Sequence, residues 1–103
     1  MNNKIKSEAC DLLFTGILKL DSIEECYSFF EDVCTVNELQ SLAQRFAVAK
    51  MLREGFTYMD IAEQTGASTA TISRVNRALN YGSDGYDMIL DRIMPAQEDG
   101  QDD

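Results

Sequence analysis

The sequence contains no histidine, and this absence removes most of the catalytic chemistry open to a small protein. Histidine is the commonest general base and the commonest metal ligand, so neither a Ser–His nor a Cys–His nucleophile pair can form. No spacing of lysines or carboxylates suggests a replacement, and the sequence has neither a phosphate-binding loop nor a metal-ligand cluster. We therefore expect a protein that is not an enzyme and that holds no cofactor or metal.

Cysteines and long apolar runs are also scarce. Cys10, Cys26 and Cys34 form no CxxC pair, and no apolar run approaches the roughly 20 residues that a membrane span needs. The start of the chain combines two lysines with Glu8 and Asp11 and lacks the small-residue cleavage site of a signal peptide. We therefore predict a cytoplasmic protein without membrane contacts, whose cysteines are reduced and mostly buried thiols.

Proline and strand-forming patterns are nearly absent. The 103 residues include one proline, Pro95, and apolar residues recur every three or four positions through most of the chain. Capping boxes beginning at Ser22 and Thr35 mark helix starts. We predict an all-α fold of six helices. The first covers residues 4–20, the second begins at Ser22, and the third runs from Thr35 to about Glu54. Two short helices follow between Thr57 and Leu79, and the last covers Tyr86–Met94.

These helices are expected to form one domain over residues 1–95, followed by an acidic disordered tail over residues 96–103. A chain of this length buries a modest core alone, so a core shared with a second copy would help it to fold. The larger apolar residues of the first three helices are predicted to lie in that core or in a dimer interface. They are Leu12, Leu13, Ile17, Leu20, Phe29, Phe30, Phe46 and Leu52.

Positive charge is scarce overall but concentrated locally. The formal net charge is -9, which argues against general electrostatic binding to nucleic acid. Residues 21–38 hold six acidic residues and no basic one, whereas residues 45–77 hold five basic residues against three acidic ones. The field at the contact face, rather than the total charge, is what a phosphate backbone meets.

The segment between Thr57 and Leu79 has the residue types that a helix-turn-helix requires. Thr57 is a suitable cap for a first helix, Ala62 is small where the second helix packs closely, and Gly66 permits a turn with positive φ. Ser68 is a suitable cap for a second helix, whose inward face would carry Ile72, Val75 and Leu79. We predict a helix-turn-helix over residues 57–79.

The outward face of the second helix follows by subtraction. It carries small, hydroxyl and arginine side chains, which can approach base edges and phosphates of double-stranded DNA. The predicted DNA-binding residues are Ser68, Thr69, Ala70, Ser73, Arg74 and Arg77. An alternative is a helical protein-interaction or regulatory module whose helix-turn-helix binds a protein partner, in line with the low pI.

The stretch TVNELQSLAQRFAVAKMLREGFTYMDIAEQTGASTATISRVNRALN, residues 35–80, resembles the Trp repressor family. Within that family it is similar to a branch of uncharacterised Trp-repressor-like proteins that share the ATISRVNR ending. The resemblance implies an intertwined homodimer in which the first three helices form a shared core. It also implies a transcriptional regulator, with repression expected, whose two helix-turn-helix units enter successive major grooves of a palindromic operator.

The resemblance also raises L-tryptophan as a small-molecule effector. It implies Thr35, Arg45 and Arg74 as candidate effector-binding residues, although Arg45 matches the family's arginine only with a one-residue deletion before Arg53, and Gln44 takes that place otherwise. The Trp repressor has glycine after the second arginine, where this sequence has Val75. A β-branched side chain there should crowd an indole between the helices, so L-tryptophan is disfavoured as corepressor.

Overall fold

A computed structural model describes residues 4–94, and all the regular secondary structure in this range is helical. The prediction of six helices and an all-α fold is confirmed for these residues. Pro95 and the predicted acidic tail, residues 96–103, lie outside the described residues. The helices are α1 (Glu8–Ile17), α2 (Ile23–Val33), α3 (Val36–Arg53), α4 (Tyr58–Thr65), α5 (Thr69–Tyr81) and α6 (Gly85–Ile93).

Helix α1 is shorter at both ends than the predicted helix over residues 4–20. The hydroxyl of Ser7 accepts a hydrogen bond from the backbone N–H of Cys10 at 3.1 Å, which caps the helix after the two N-terminal lysines. At the other end, Lys19 N–H donates to the Gly16 carbonyl at 3.0 Å, closing a tighter turn. The apolar periodicity continues past both points, and it therefore overstated the length of the helix.

The chain divides into two compact units, an N-terminal unit (Met1–Ser41) and a C-terminal unit (Leu42–Asp103). Among the described residues of the N-terminal unit, none is buried. Several large apolar side chains are exposed in the single chain, including Leu12, Leu18 and Ile23 at 75%, 82% and 72%. The three cysteines are half-buried, so the prediction of mostly buried thiols is wrong for the single chain, because this unit has no closed core to hold them.

The C-terminal unit contains the hydrophobic core of the described residues. Each of its helices contributes to the core, which puts α5 against α4 and α6. The buried residues are Val48 and Ala49 of α3, Ile61 of α4, Ala67 before α5, Ile72 and Val75 of α5, and Leu90 of α6. This core holds α4 and α5 against each other and α5 against α6.

Helix α6 is also joined to α3 by an arginine. The guanidinium of Arg53 donates to the backbone carbonyl of Asp87 at 3.1 Å and pairs with the carboxylates of Asp87 and Asp91. Its side chain is 28% exposed. Because one donor reaches a backbone carbonyl while the others meet carboxylates, Arg53 fixes the direction of α6 as well as its distance.

Candidate nucleic-acid interface

The segment predicted as a helix-turn-helix contains α4, a three-residue turn (residues 66–68) and α5, and we use that name for these three elements together. The hydroxyl of Thr57 accepts from the N–H of Asp60 at 3.1 Å and begins α4. Gly66 ends α4 with φ of +74°, and its N–H donates to the carbonyl of Ala62 at 2.9 Å. The left-handed conformation predicted for Gly66 is therefore present, in the position where only glycine adopts it without a steric cost.

The second helix begins at the predicted cap. Ser68 lies in extended conformation, and its hydroxyl oxygen accepts from the N–H of Thr71 at 3.1 Å. The same hydroxyl donates to Oγ1 of Thr71 at 3.1 Å. Ser68 therefore has one acceptor position left for an outside partner, and its hydroxyl proton is already used within the chain.

The inward face of α5 is the predicted one. Ile72 and Val75 are 0% and 1% exposed, and Leu79 packs against the same core. From α4, Ile61 is fully buried, while Ala62 is partly buried against the cluster. These side chains fix the rotation of α5 about its own axis, and so they decide which residues face outward.

The outward face of α5 exposes the other predicted residues together. Thr69, Ala70, Ser73, Arg74 and Arg77 are all exposed. Within residues 4–94, neither Arg74 nor Arg77 takes part in an ion pair. Helix α5 has no acidic residue along its length, so this surface presents two guanidinium groups and three small side chains to solvent without a compensating carboxylate on the same helix.

The turn holds a hydrogen-bond network that the sequence did not predict. The hydroxyl of Thr65 donates to the carbonyl of Ile61 at 2.7 Å and accepts from the N–H of Ala67 at 3.1 Å. The side-chain amide of Gln44, on α3, donates to the carbonyl of Thr65 at 3.1 Å. A threonine before glycine is a signal for the first two bonds, but no local pattern identifies a donor 21 residues away.

The three predicted effector-binding residues, Thr35, Arg45 and Arg74, differ in exposure and in hydrogen bonding. Thr35 caps α3 in a reciprocal box with Glu38: its hydroxyl accepts from Glu38 N–H at 3.1 Å, and its own N–H donates to the Glu38 carboxylate at 2.8 Å. Arg45 is half-buried on α3, whereas Arg74 is exposed on α5. Val75 is 1% exposed and belongs to the buried core cluster of the C-terminal unit. Thr35 thus has a capping role already, which explains its presence without a ligand.

Neither a metal-ligand group nor a membrane-spanning helix is found in the part of the chain that the structure describes. Within residues 4–94, no group of three or more cysteines or carboxylates is arranged to hold a metal ion. In the same range, no helix combines the length and the apolar character needed to cross a lipid bilayer.

Comparison with known proteins identifies a family match over most of the chain. The family described as Trp repressor protein matches residues 8–94. Among curated proteins, the chain is 62% identical over 91 residues to the uncharacterised protein YerC of Bacillus subtilis (strain 168), a match that covers 88% of each chain.

Two solved structures have the same fold at high sequence identity. A TrpR-like protein from Eubacterium eligens superposes with a TM-score of 0.88 at 64% identity, covering 93% of this chain and 99% of that one. A candidate Trp repressor from Staphylococcus aureus superposes with a TM-score of 0.86 at 57% identity, covering 90% and 94%.

Proposed function

The chain belongs to the Trp repressor family, and from this premise we propose that it is a sequence-specific DNA-binding transcriptional regulator, with repression as the expected outcome. The observation that carries the proposal is the outward face of α5. Its inward face is anchored by Ile72 and Val75, and the side chains left outside are the short and cationic ones that a major groove accepts.

The exposed residues of α5 divide into two roles. Thr69 and Ala70, at the start of the helix, are proposed to lie nearest the base edges, where their methyl groups can contact thymine methyls. Ser73 is proposed to reach base edges one turn later. Arg74 and Arg77 are proposed to contact guanine edges or phosphates. Contacts with phosphates supply most of the affinity.

We propose that Ser68 contributes indirectly. Its hydroxyl is occupied by Thr71, so it sets where α5 starts and hence how deeply Thr69 and Ala70 enter the groove. A single acceptor position remains for a donor on DNA, such as a cytosine or adenine amino group.

The regulator is proposed to act as a homodimer on a palindromic operator. The N-terminal unit supports this, because none of its described residues is buried while its large apolar side chains are exposed. Exposed apolar surface of this kind is covered in a stable protein. A second copy would give the twofold symmetry that places two α5 helices in successive major grooves.

The net charge of -9 is expected to oppose binding to DNA at surfaces other than the outward face of α5. Acidic residues of α2 and the region before it repel phosphates, whereas the two arginines of α5 attract them. We therefore expect weak nonspecific binding and a specific complex whose affinity falls steeply with salt. The proposed location is cytoplasmic.

The test is to recover bound fragments from genomic DNA with the purified protein and to measure affinity for the recovered sequence by fluorescence anisotropy. Changes at Thr69 or Ser73 are expected to alter the preferred sequence, while Arg77→Ala is expected to weaken binding to every duplex. If no fragment is enriched over a range of salt concentrations, the proposal fails.

The low pI favours one other candidate, a protein-interaction module whose helix-turn-helix binds a protein partner. Such a module would show no salt-dependent DNA binding and no change in sequence preference on substitution of Thr69. A small-molecule effector is compatible with either candidate. We propose that it is not L-tryptophan, because Val75 is buried in the core cluster and its β-branched side chain should crowd an indole.

A further inference from the structure

We propose that Gln44 is a positioning residue that holds the turn of the helix-turn-helix in its DNA-reading geometry without a bound effector. The inference rests on the proposed function. It assigns a role in DNA binding to a residue of α3 that lies outside the helix-turn-helix itself.

The bond at the centre of the proposal joins the Gln44 side-chain amide to the backbone carbonyl of Thr65, over 3.1 Å. Thr65 is the last residue of α4, and its carbonyl is one of those that a helix leaves without an intrahelical partner. The bond is partly buried, so water competes less for the two groups than it would at the surface.

The same amide lies against the glycine of the turn. A Cβ built on Gly66 would lie 4.0 Å from Nε2 of Gln44. The turn is therefore held on three sides: by the Gln44 amide, by the Thr65 hydroxyl bonded to Ile61, and by the Ala67 N–H bonded to that hydroxyl. Of these, only the bond from Gln44 comes from outside the helix-turn-helix.

Gln44 is itself held by a rigid element. One turn further along α3, Val48 and Ala49 are fully buried in the core of the C-terminal unit. A hydrogen bond from this helix therefore fixes the position of the turn relative to the core. Thr69, the first residue of α5, follows Thr65 by four residues, and a small rotation at the turn displaces the outward face of α5 relative to a duplex.

In this proposal, the bond from Gln44 orients α5 in the absence of a ligand. In a regulator that needs a corepressor, the DNA-binding helix samples several orientations until the ligand binds. Here a side chain of the protein already supplies the contact between α3 and the turn. Because the donor is neutral, the contact is expected to persist across the pH range of the cell.

The first test compares Gln44→Met with Gln40→Met. Methionine keeps the length of glutamine but cannot donate. Gln40 is an exposed glutamine on the same helix, so its replacement controls for the change in composition. The measurements are affinity for the recovered duplex by anisotropy, the unfolding midpoint, and protection of the Ala67 amide against hydrogen exchange.

The expected result is a loss of affinity of about ten-fold in Gln44→Met, reduced protection at Ala67, and wild-type behaviour in Gln40→Met. Unchanged DNA affinity in a folded Gln44→Met would overturn the proposal, even with a lower unfolding midpoint, since that result describes a purely structural residue. Wild-type protein that binds DNA only after a small molecule is added would also overturn it, while leaving the proposed function intact.

The second variant, Gln44→Glu, covers the case in which methionine prevents folding. A carboxylate repels the Thr65 carbonyl, whereas a protonated carboxyl group can donate to it. Protection factors at Ala67 in Gln44→Glu are therefore expected to rise as the pH falls through the titration of the introduced carboxyl group, with no such change in the wild type. Protection that is independent of pH in both proteins would contradict the proposal. If the wild type binds no duplex at all, the proposed function fails first.

Discussion

Ser68 and Thr71 are joined by two hydrogen bonds at the start of α5. The backbone N–H of Thr71 donates to the hydroxyl oxygen of Ser68, and the hydroxyl of Ser68 donates to Oγ1 of Thr71, each over 3.1 Å. The first bond caps α5, and the second fixes the rotamer of the capping hydroxyl. A residue predicted as a DNA contact therefore has a structural role that can be separated from DNA binding by substitution.

The first prediction separates the two roles of Ser68. Ser68→Ala removes the cap and is expected to lower the free energy of unfolding by about 1 kcal/mol. Ser68→Asp restores an acceptor at the cap, so stability should be retained, but its negative charge is expected to oppose phosphates and to weaken DNA binding strongly. Urea unfolding and anisotropy on the same preparations measure both effects.

Ser68→Asn is the matched control for this pair, because it caps without adding charge. It should keep both the stability and most of the DNA affinity. If Ser68→Asp binds DNA as tightly as Ser68→Asn, the cap is remote from the duplex and the proposed docking of α5 is wrong.

The second prediction concerns Arg77, one of the two exposed arginines of α5. Arg77→Ala is expected to weaken binding to all duplexes by a similar factor and to reduce the slope of log affinity against log salt by about one, the value for one lost phosphate contact. Arg92→Ala is the control, since Arg92 is exposed in the last turn of α6 and its loss changes the net charge equally. Equal effects of the two substitutions would indicate that total charge, rather than the α5 surface, governs binding.

The third prediction tests the turn through its glycine. Gly66 has φ of +74°, so Gly66→Ala is expected to destabilise the protein by roughly 1–2 kcal/mol through backbone strain. Gly85 is the matched control, because it begins α6 without a positive φ and a Cβ there meets nothing within 4 Å. Thermal unfolding should therefore separate the two alanine variants, with Gly85→Ala close to the wild type or slightly above it.

Much of the fold could be predicted because its signals are local. The capping boxes at Ser22 and Thr35, the left-handed glycine at Gly66 and the cap at Ser68 each involve residues within four positions of one another. Such contacts depend on side-chain chemistry and backbone conformation at a few neighbouring residues, which the sequence displays directly. The inward face of α5 followed from the same periodicity, and burial of Ile72 and Val75 confirms it.

The contacts that could not be predicted link distant parts of the chain. The bond from Gln44 to Thr65 spans 21 residues, and the bonds from Arg53 to Asp87 and Asp91 span 34 and 38. A glutamine or an arginine on a helix has many candidate partners, and only packing of the core decides which it meets. The half-buried cysteines were missed for the related reason that burial depends on what covers the N-terminal unit.

The fourth prediction concerns the link between α3 and α6. Arg53→Ala is expected to lower the free energy of unfolding by about 1 kcal/mol, because the arginine side chain is partly shielded from solvent and one of its hydrogen bonds goes to a backbone carbonyl. Lys50→Ala removes an ordinary i,i+4 ion pair with Glu54 on the same helix and should cost no more than about 0.5 kcal/mol. The difference between the two is expected to shrink little in high salt, since the carbonyl bond of Arg53 is not screened as an ion pair is.

The fifth prediction is that L-tryptophan does not bind with micromolar affinity. Val75 is 1% exposed and packs in the same buried cluster as Ile61 and Ile72, so an indole entering at this level of α5 would have to displace core side chains. Calorimetry with L-tryptophan should therefore give only the heat of dilution, and the ligand should leave DNA affinity unchanged. A tryptophan-binding member of the family, titrated under the same conditions, establishes that the measurement would detect binding. Saturable heat in the wild type would mean that the ligand reaches α5 from a direction that avoids Val75, and Arg74 would then be the first residue to substitute, because its guanidinium is exposed and available to a carboxylate.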